Sequence, residues 1–454
     1  MACNYNILSF PCIGKVVPIE PLTLNTNLNY ISKPCTKTLI STVSVEKIPI
    51  AGKFGSFGGK FVAEVLISPL AELESEFNSV LLDHEFKMEV ATALRDYVGR
   101  ETPLYHAQKL TDYYKNINGE GPEIYIKRED LSHGGSYKMN NVIAQAILAK
   151  RMGRKRVITA TSSGHHGVAA AAVCAKFSLD CTVFIGTKDM LRKPSNVQLM
   201  ELLGAQVKPV DGSFQAAASE STREWINNLD TGYYLAGTAV GPHPIPTMVR
   251  EFNSVIGKET RKQAMEKWGG IPDVLVACVG TGCNALGLIH EFIGDKSVRM
   301  IGVEGGGGGD LHSASLVRGE VGVYHGAMCY LLQDGEGQIT KTHSVASGLE
   351  FPGVSPELSF LKESGRIECY TVTDQEALDV LEPNYCIHLI NNAAYKRLCR
   401  LEGIVPALEA SHALAYLEKL CPMLPDGAKV VVNCSGTGYN DAPTVLNSIP
   451  VNEN

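Results

Sequence analysis

The stretch Ile124-Tyr-Ile-Lys-Arg-Glu-Asp-Leu-Ser-His-Gly-Gly-Ser-Tyr-Lys-Met-Asn-Asn141 runs from an apolar segment through a glycine turn to the start of a helix. Residues 124–127 predict a short buried strand, and residues 140–152 predict the helix that Lys138 opens. A lone lysine at this point can form a Schiff base if its amine loses a proton. A solvated lysine at a helix start is the alternative that this stretch alone leaves open.

The same order of elements recurs along most of the chain. Further buried strands are predicted over residues 156–159, 181–185, 274–278, 300–303 and 430–433. Further helices are predicted over residues 166–177, 196–203 and 285–292. Strand–turn–helix repetition indicates parallel sheets covered by helices, with ligands at the carboxyl ends of the strands. We therefore predict an α/β fold of two intimately packed three-layer αβα units with mostly parallel sheets.

Composition narrows the class of protein. The 454 residues carry a net charge of -7, and 44% are hydrophobic, which is ordinary for a globular chain. There is no clustered basic face for nucleic acid, and no apolar run approaches the roughly 18 residues of a membrane helix. We therefore expect neither nucleic acid nor a membrane as a partner. The 44 glycines are the outlier, and their clusters suggest bound anions.

Cysteine usage and the first residues bear on location. The thirteen cysteines include no Cys-x-x-Cys pair, which favours reduced thiols over a disulfide scaffold or a zinc ribbon. Residues 1–45 hold one acidic residue and nine Ser or Thr, a composition typical of a transit peptide. A disordered tail is the alternative. The composition predicts the plastid stroma, and otherwise the cytoplasm, as the location.

Three more loops carry candidate chemistry. Thr161-Ser-Ser-Gly-His-His-Gly167 exposes successive N–H groups that suit a carboxylate, although a structural turn is a fair competitor. Val279-Gly-Thr-Gly-Cys-Asn-Ala-Leu-Gly287 suits a phosphate, but it is neither a Gly-x-Gly-x-x-Gly motif nor a P-loop. Asn433-Cys-Ser-Gly-Thr-Gly438 places a hydroxyl beside glycines. The adjacent histidines lack a third metal-type ligand at helical spacing, so zinc is rejected.

Together with the lysine, these loops contain the parts of a pyridoxal phosphate (PLP) site. From about residue 50 onward the chain resembles the β chain of tryptophan synthase, a fold-type II PLP enzyme. The resemblance also covers Lys53-Phe-Gly-Ser-Phe-Gly-Gly-Lys60, Gly99-Arg-Glu-Thr-Pro-Leu104, Gly241-Pro-His-Pro244, Met248-Val-Arg-Glu-Phe252, Leu331-Leu-Gln-Asp334, Ser347-Gly-Leu-Glu-Phe-Pro-Gly353 and Pro406-Ala-Leu-Glu-Ala-Ser-His-Ala413. In that family serine loses its β-hydroxyl, and indole adds to give tryptophan.

The resemblance implies a role for each matching residue. Lys138 would be the catalytic lysine and hold PLP as a Schiff base. The other implied cofactor-binding residues are Asn140, Gly280, Thr281, Gly282, Cys283, Asn284, Glu409 and Ser435, the last of them facing the pyridine nitrogen. The substrate carboxylate would contact Thr161, Ser162, Ser163, Gly164, His165 and His166. Glu350 would take part in closure of the substrate domain. No metal is assigned, and a monovalent cation site would involve residues that the sequence does not identify.

The substrate loop departs from the family pattern. The family reads Glu-Thr-Gly-Ala-Gly-Gln-His-Gly where this chain has Ala160-Thr-Ser-Ser-Gly-His-His-Gly167, so the catalytic glutamate falls on Ala160. Loss of a positioned general acid or base commonly lowers the rate by ~10²–10⁴-fold. His165 replaces the glutamine and could substitute as an acid or base.

The resemblance also implies an organisation and partners. Residues 46–100 with 239–454 would form the cofactor domain, and residues 101–238 a second domain with a mobile substrate-closing region. Residues 382–395 interrupt the family pattern as an atypical insertion. The expected partners are an amino acid and a nucleophile as substrates, a second copy in a homodimer, and a tryptophan synthase α-type subunit.

Three hypotheses for the function follow. The first is tryptophan synthase β activity, against which Ala160 counts. The second is a diverged PLP enzyme of specialised metabolism that uses another nucleophile or amino acid. The third is a weakly active regulatory paralogue that binds an α-type subunit, which the intact Lys138 disfavours.

Overall fold

The computed structural model describes residues 52–378 and 394–447. The predicted transit peptide, 1–45, lies outside the described residues. So do residues 382–393, which form most of the predicted insertion at 382–395.

The strands within the described ranges, in chain order, are β1 (Lys53–Phe54), β2 (Phe57–Gly58), β3 (Leu104–His106), β4 (Glu123–Lys127), β5 (Arg156–Thr161), β6 (Asp180–Gly186), β7 (Gln206–Val210), β8 (Gly232–Tyr234), β9 (Val274–Val279), β10 (Arg299–Gly305), β11 (Glu320–Tyr324), β12 (Ala327–Leu331), β13 (Glu368–Val372) and β14 (Lys429–Asn433). All six predicted strands are present. The unpredicted ones are mostly short or lie at sheet edges.

The α-helices of the same ranges are α1 (Ile67–Leu82), α2 (His84–Ala93), α3 (Gln108–Asn118), α4 (Lys138–Arg151), α5 (His165–Phe177), α6 (Thr187–Arg192), α7 (Pro194–Leu202), α8 (Phe214–Ile226), α9 (Ile245–Asn253), α10 (Val255–Trp268), α11 (Cys283–Ile289), α12 (Ser315–Arg318), α13 (Pro356–Glu363), α14 (Asp374–Leu378), α15 (Ala394–Glu402), α16 (Leu408–Ala415), α17 (Leu417–Leu420) and α18 (Ala442–Asn447). No helix in the described part of the chain is both long and apolar enough to span a bilayer.

The larger sheet has six strands in the order β13-β10-β9-β14-β4-β3. Its pairs are parallel except β3 with β4, which is antiparallel. Every residue of β9 is buried. Such continuous apolar runs are typical of parallel strands that helices cover on both faces.

A second sheet has four parallel strands in the order β7-β6-β5-β8, all from residues 156–234. Its strands fall within the segment 101–238 that was predicted as one domain, whereas β3 and β4 of that segment pair in the six-stranded sheet. The domain boundaries stay a prediction. A small antiparallel sheet, β1-β2-β12-β11, was not predicted. The mostly parallel α/β class is confirmed.

The strands place the candidate loops at one end of each sheet. The chain leaves β4, β5, β9 and β14 at their carboxyl ends and enters α4, α5, α11 and the segment 434–441. The three helices and that segment therefore begin where parallel sheets usually bind ligands.

Candidate active site

A pocket enclosing about 670 Å3, part of it open to solvent, collects most of the predicted site residues. Those that line it are Lys138, Thr161, Ser162, Ser163, His165, His166, Gly280, Thr281, Gly282, Asn284, Glu409 and Ser435. Ala160 also lines the pocket. Parallel strands bring these residues together although they lie almost 300 positions apart in the chain.

Lys138 is held at the pocket wall by backbone contacts around it. Its Nζ donates to the carbonyl oxygen of Gly237 at 2.7 Å. The preceding turn is fixed to the segment after β14, because the Tyr137 N–H donates to the Ser435 carbonyl at 3.1 Å. The Thr437 N–H in turn donates to the Gly135 carbonyl at 2.8 Å. The lysine and the Ser435 hydroxyl are therefore attached to one hydrogen-bonded unit.

The loop after β9 presents backbone to the pocket. A Cβ atom on Gly280 would lie 2.3 Å from the carbonyl oxygen of Gly348, and one on Gly282 would lie 2.3 Å from Leu358 Cδ1. Gly282 also has a φ of 97°. Only glycine fits both positions without displacement of a neighbour. The loop therefore approaches a ligand through N–H groups, as a phosphate requires.

Two residues of this loop have their side chains engaged elsewhere. Cys283 does not line the pocket, because its Sγ accepts the Ala239 N–H at 3.0 Å. The Asn284 amide donates to the Cys278 carbonyl at 2.9 Å. The implied cofactor contacts of both residues are therefore expected through the backbone of the loop.

Two uncharged side chains, Ser435 and Cys278, lie together in the pocket wall. Ser435 Oγ lies 3.6 Å from Cys278 Sγ, and both side chains are buried. Burial raises the pKa of the Cys278 thiol to about 12. A hydroxyl and a protonated thiol therefore lie where the resemblance implies the ring nitrogen.

The loop after β5 is held by a hydrogen bond from Asn196 on α7. Asn196 Nδ2 donates to the Ser163 carbonyl at 2.7 Å. Gly164 has a φ of 87°, and a Cβ atom there would lie 2.5 Å from Asn196 Cβ. Gly164 therefore packs on Asn196 and does not line the pocket, which corrects its predicted direct contact with a carboxylate. Ser163 Oγ lies 3.3 Å from His165 Nδ1.

His166 is a neutral side chain beneath this loop. Burial and then the nearby charge of Lys138 lower its pKa to about 3. The Thr159 hydroxyl donates to the Leu235 carbonyl at 2.7 Å, so it accepts from His166 Nε2 at 2.9 Å. His166 Nδ1 is then an acceptor, and it is buried without a hydrogen-bond partner. This atom suits an O–H or N–H donor rather than the carboxylate predicted from the sequence.

Asn140 lies outside the pocket, contrary to its predicted cofactor role. Its amide accepts from Arg100 at 2.7 Å and donates to Glu129 at 3.1 Å. Burial alone would raise the pKa of Glu129, but the charge of Arg100 overrides it and lowers that pKa to about 2. Lys127 and Glu259 complete this buried ion cluster. The side chain of Asn140 therefore belongs to a structural network.

Glu350 lies at a groove of about 1130 Å3 that adjoins the pocket and shares Ser162, Phe214 and Phe351 with it. Its Oε2 is 2.5 Å from Arg192 Nη1 on α6. The pair links a residue of the four-stranded-sheet region to the 347–353 segment at the entrance of the pocket. Closure through Glu350 stays a prediction.

Sequence reasoning missed several lining residues. Gly348 belongs to the segment 347–353 that carries part of the resemblance, but only Glu350 of that segment was given a role. The Gly348 N–H donates to Glu409 Oε1 at 2.9 Å. Gly237 and Phe214 gave no signal, because a lone glycine and a lone aromatic residue are common everywhere. The missed lining residues include Ser136, Phe214, Gly237, Thr238, Gly348, Leu349 and Phe351.

Within residues 52–378 and 394–447, no group of three or more His, Cys, Asp or Glu side chains could hold a metal ion. A monovalent cation held by carbonyl oxygens would need no such group, so that site stays a prediction.

Comparison with known proteins identifies the family. Residues 96–436 match the family model described as pyridoxal-phosphate dependent enzyme. The chain belongs to this family.

Two solved structures share its fold. A fungal L-serine ammonia-lyase from Rhizomucor miehei superposes with a TM-score of 0.58 at 19% identity, covering 77% of this chain and 97% of that one. A threonine deaminase from T.th. superposes with a TM-score of 0.57 at 18% identity, covering 79% of this chain and 98% of that one.

The residues present fit PLP. The pocket offers a lysine amine, a loop with two glycines for the phosphate, and the hydroxyl of Ser435. The unpartnered His166 Nδ1 is a further buried polar atom that a bound group could satisfy. Lys138, Gly280, Thr281, Gly282 and Ser435 would hold the cofactor.

Proposed function

We propose that this protein catalyses β-elimination or β-replacement on a hydroxyl-bearing amino acid, as the tryptophan synthase β chain does, with altered substrate choice. The observation that carries the proposal is the convergence of Lys138, the Gly280–Gly282 backbone and Ser435 on one pocket. The names of the two similar structures, a serine ammonia-lyase and a threonine deaminase, agree with a hydroxyl-bearing amino acid.

Each part of the site has a defined task. Bound PLP supplies an electron sink that weakens the bonds at Cα and Cβ of the amino acid. The Lys138 amine would take the proton from Cα. The backbone of the pocket-lining residues 161–163 would bind the substrate carboxylate. If Ser435 faces the ring nitrogen, as the resemblance implies, it would offer a hydroxyl rather than an acid, and this would moderate the sink.

Departure of the β-hydroxyl needs a proton, and the family's glutamate is Ala160 here. The lining Glu409 already accepts the Gly348 N–H. His166 is neutral, and its Nδ1 is an acceptor. His165, paired with Ser163 at 3.3 Å, is the remaining imidazole of the pocket and would deliver this proton. A replaced proton donor supports a changed reaction rather than ordinary tryptophan synthesis.

The deciding assay is a spectral and product screen of the PLP-loaded protein with L-serine, with and without indole. We expect a spectral response to an amino acid, with pyruvate or a replacement product in excess of tryptophan. Rapid tryptophan formation would instead support ordinary tryptophan synthase β activity. No response to any amino acid would overturn the proposal and favour the regulatory paralogue.

The Ala160→Glu variant tests the reason for the divergence. Restoring the carboxylate should raise tryptophan formation by ~10²-fold or more if that group alone is missing. Ser162→Gly is the matched control in the same loop, since it restores a family residue without adding a titratable group. No gain in Ala160→Glu would assign the divergence to the other changes in the pocket.

A plastid location, a homodimer and an α-type subunit are further proposals that rest on the resemblance alone. An α-type subunit would serve to supply indole, so it is expected only if indole is the nucleophile. The same assay therefore bears on that partner.

A further inference from the structure

The carboxylate of Asp374, at the start of α14, collects polar side chains from two other segments. Its Oδ2 lies 3.1 Å from His343 Nε2, and its Oδ1 accepts the Ser344 hydroxyl at 3.2 Å. The same Oδ1 lies 3.5 Å from Nε2 of His412 on α16, which is ion-pair distance. None of these four residues lines the pocket that contains Lys138. They form a separate polar cluster.

The carboxylate of Asp374 is both ionised and held in place. Burial alone would raise its pKa, but His412 and the Val345 N–H lower that pKa. The Asp374 N–H donates to the Gly307 carbonyl at 3.1 Å. A Cβ atom on Gly307 would lie 1.9 Å from the Leu311 carbonyl oxygen, so only glycine fits this turn. Asp374 is therefore a fixed, charged acceptor for the segments around it.

One of these segments, residues 343–349, forms a tight turn that connects the cluster to the pocket. Ser344 Oγ donates to Asp374 and also accepts the Ala346 N–H at 3.2 Å. The Ala346 carbonyl then accepts the Leu349 N–H at 2.8 Å. Leu349 lines the pocket. Successive hydrogen bonds therefore run from the carboxylate to the pocket wall.

Glu409 is connected to the cluster from two sides. The Gly348 N–H donates to its Oε1 at 2.9 Å, and a Cβ atom on Gly348 would lie only 2.4 Å from that oxygen. Both residues line the pocket. His412 is three positions further along α16, on the same side of the helix as Glu409. Its Nδ1 donates to the Leu408 carbonyl at 2.9 Å, which leaves Nε2 to face Asp374.

We propose that Asp374 is a positioning residue that holds Glu409 in place beside the cofactor, through the 343–349 segment on one side and His412 on the other. Hydrogen bonds to an ionised acceptor are roughly twice as strong as neutral ones. Loss of the charge therefore loosens the turn that carries Gly348. The inference concerns how PLP is held, so it goes beyond the proposed reaction and does not depend on which amino acid reacts.

A double-mutant cycle on PLP affinity tests this connection without turnover. Asp374→Asn keeps the shape of the side chain and removes its charge, and Glu409→Gln does the same at the pocket. In absorbance titrations of the full chain with PLP, we expect each substitution to raise Kd by about tenfold. The double variant should also show about a tenfold rise, because residues that act through one another are not additive.

Independent effects would multiply to about a hundredfold rise in Kd, which would overturn the positioning role. No change in Kd for either single variant would overturn it as well. Glu376→Gln is the matched control on α14, because Glu376 pairs with the exposed Lys419 at 2.6 Å. This control should leave Kd within about twofold, since exposed ion pairs contribute little.

His343→Ala replaces Asp374→Asn in the cycle if circular dichroism shows that the latter does not fold. The His343 side chain is 41% exposed and contacts the same carboxylate, so its removal leaves no buried charge unpaired. We expect a rise in Kd of about threefold or more that again does not add to the effect of Glu409→Gln. An unchanged Kd or an additive effect would overturn the proposal.

These outcomes are distinguishable from those of the amino-acid screen. Additive effects on PLP affinity would remove the role of Asp374 and leave the proposed reaction standing. Non-additive effects in a protein that responds to no amino acid would overturn the proposed reaction and leave the positioning role intact.

Discussion

At the scale of single residues, we expect the amine of Lys138 to decide whether the pocket holds its cofactor covalently. Two lysines of α4 differ in environment. Lys138 lines the pocket, whereas Lys150 near the end of the same helix is exposed. The two lysines share a helix and a charge. They therefore form a matched pair for substitution.

Lys138→Ala should abolish the visible absorbance band of lysine-bound PLP, because no other lysine lines the pocket among its described residues. Lys150→Ala should keep the band. The measurement is an absorbance titration with PLP, with far-ultraviolet circular dichroism to confirm folding. Retention of the band in folded Lys138→Ala would show that another amine carries the cofactor.

Asn140 shows the limit of sequence reasoning at this scale. It lies two positions after Lys138, and each helical residue is turned about 100° from the one before it. The two side chains therefore point in nearly opposite directions, and Asn140 meets Arg100 and Glu129 instead of the pocket. A sequence motif identifies a candidate functional residue, but it does not show in which direction the side chains of neighbouring residues point.

At the scale of elements, the junction of α6 and α7 is tied to the segment after β14. Lys193 forms a buried ion pair with Asp441, whose other oxygen accepts the Leu408 N–H at 3.0 Å at the start of α16. Asn440 Nδ2 donates to Asn196 at 2.8 Å, and Asn196 braces the substrate loop. This set of contacts connects the substrate loop to the helix that carries Glu409.

Asp441→Asn should lower the free energy of unfolding by about 3–5 kcal/mol, because it leaves the buried Lys193 charge without its partner. The exposed pair Lys258–Glu251 provides the control, since Glu251→Gln should change stability by less than about 1 kcal/mol. Urea unfolding followed by circular dichroism measures both. Equal effects of the two substitutions would contradict a structural role for the buried pair.

None of these ties was visible in the sequence. Asp441 and Lys193 are separated by 248 positions, and neither stands in a recognisable motif. Strands and helices with strong apolar patterns were predictable because local periodicity reflects burial. The short strands β1, β2 and β3 were not, because two or three residues cannot show a period.

At the scale of the whole molecule, residues of both the four-stranded and the six-stranded sheet line the pocket. Ala160 and Thr161 come from β5 of the four-stranded sheet, whereas Cys278 comes from β9 of the six-stranded sheet. A ligand that contacts both walls stabilises both sheets together, because it binds only the state in which they meet.

PLP should therefore slow amide hydrogen exchange in β5 and β9 in parallel, by roughly 100-fold at a ligand concentration about 100 times Kd for amides that exchange through global unfolding. Exchange in the exposed strand β11 should change least, since it opens locally. Mass spectrometry of the protein with and without PLP gives the comparison. Protection confined to β9 would show that the cofactor contacts only one sheet.

The sequence by itself determined the α/β class and the buried strands in their order along the chain, and its resemblance to a known family predicted Lys138 as the cofactor lysine. Apolar runs, glycine turns and sequence motifs are local features, so they can be interpreted without a structure. The tertiary structure alone decided which side chains face the pocket and which are held in ion clusters. Those facts depend on contacts between segments hundreds of residues apart, and no local pattern encodes them.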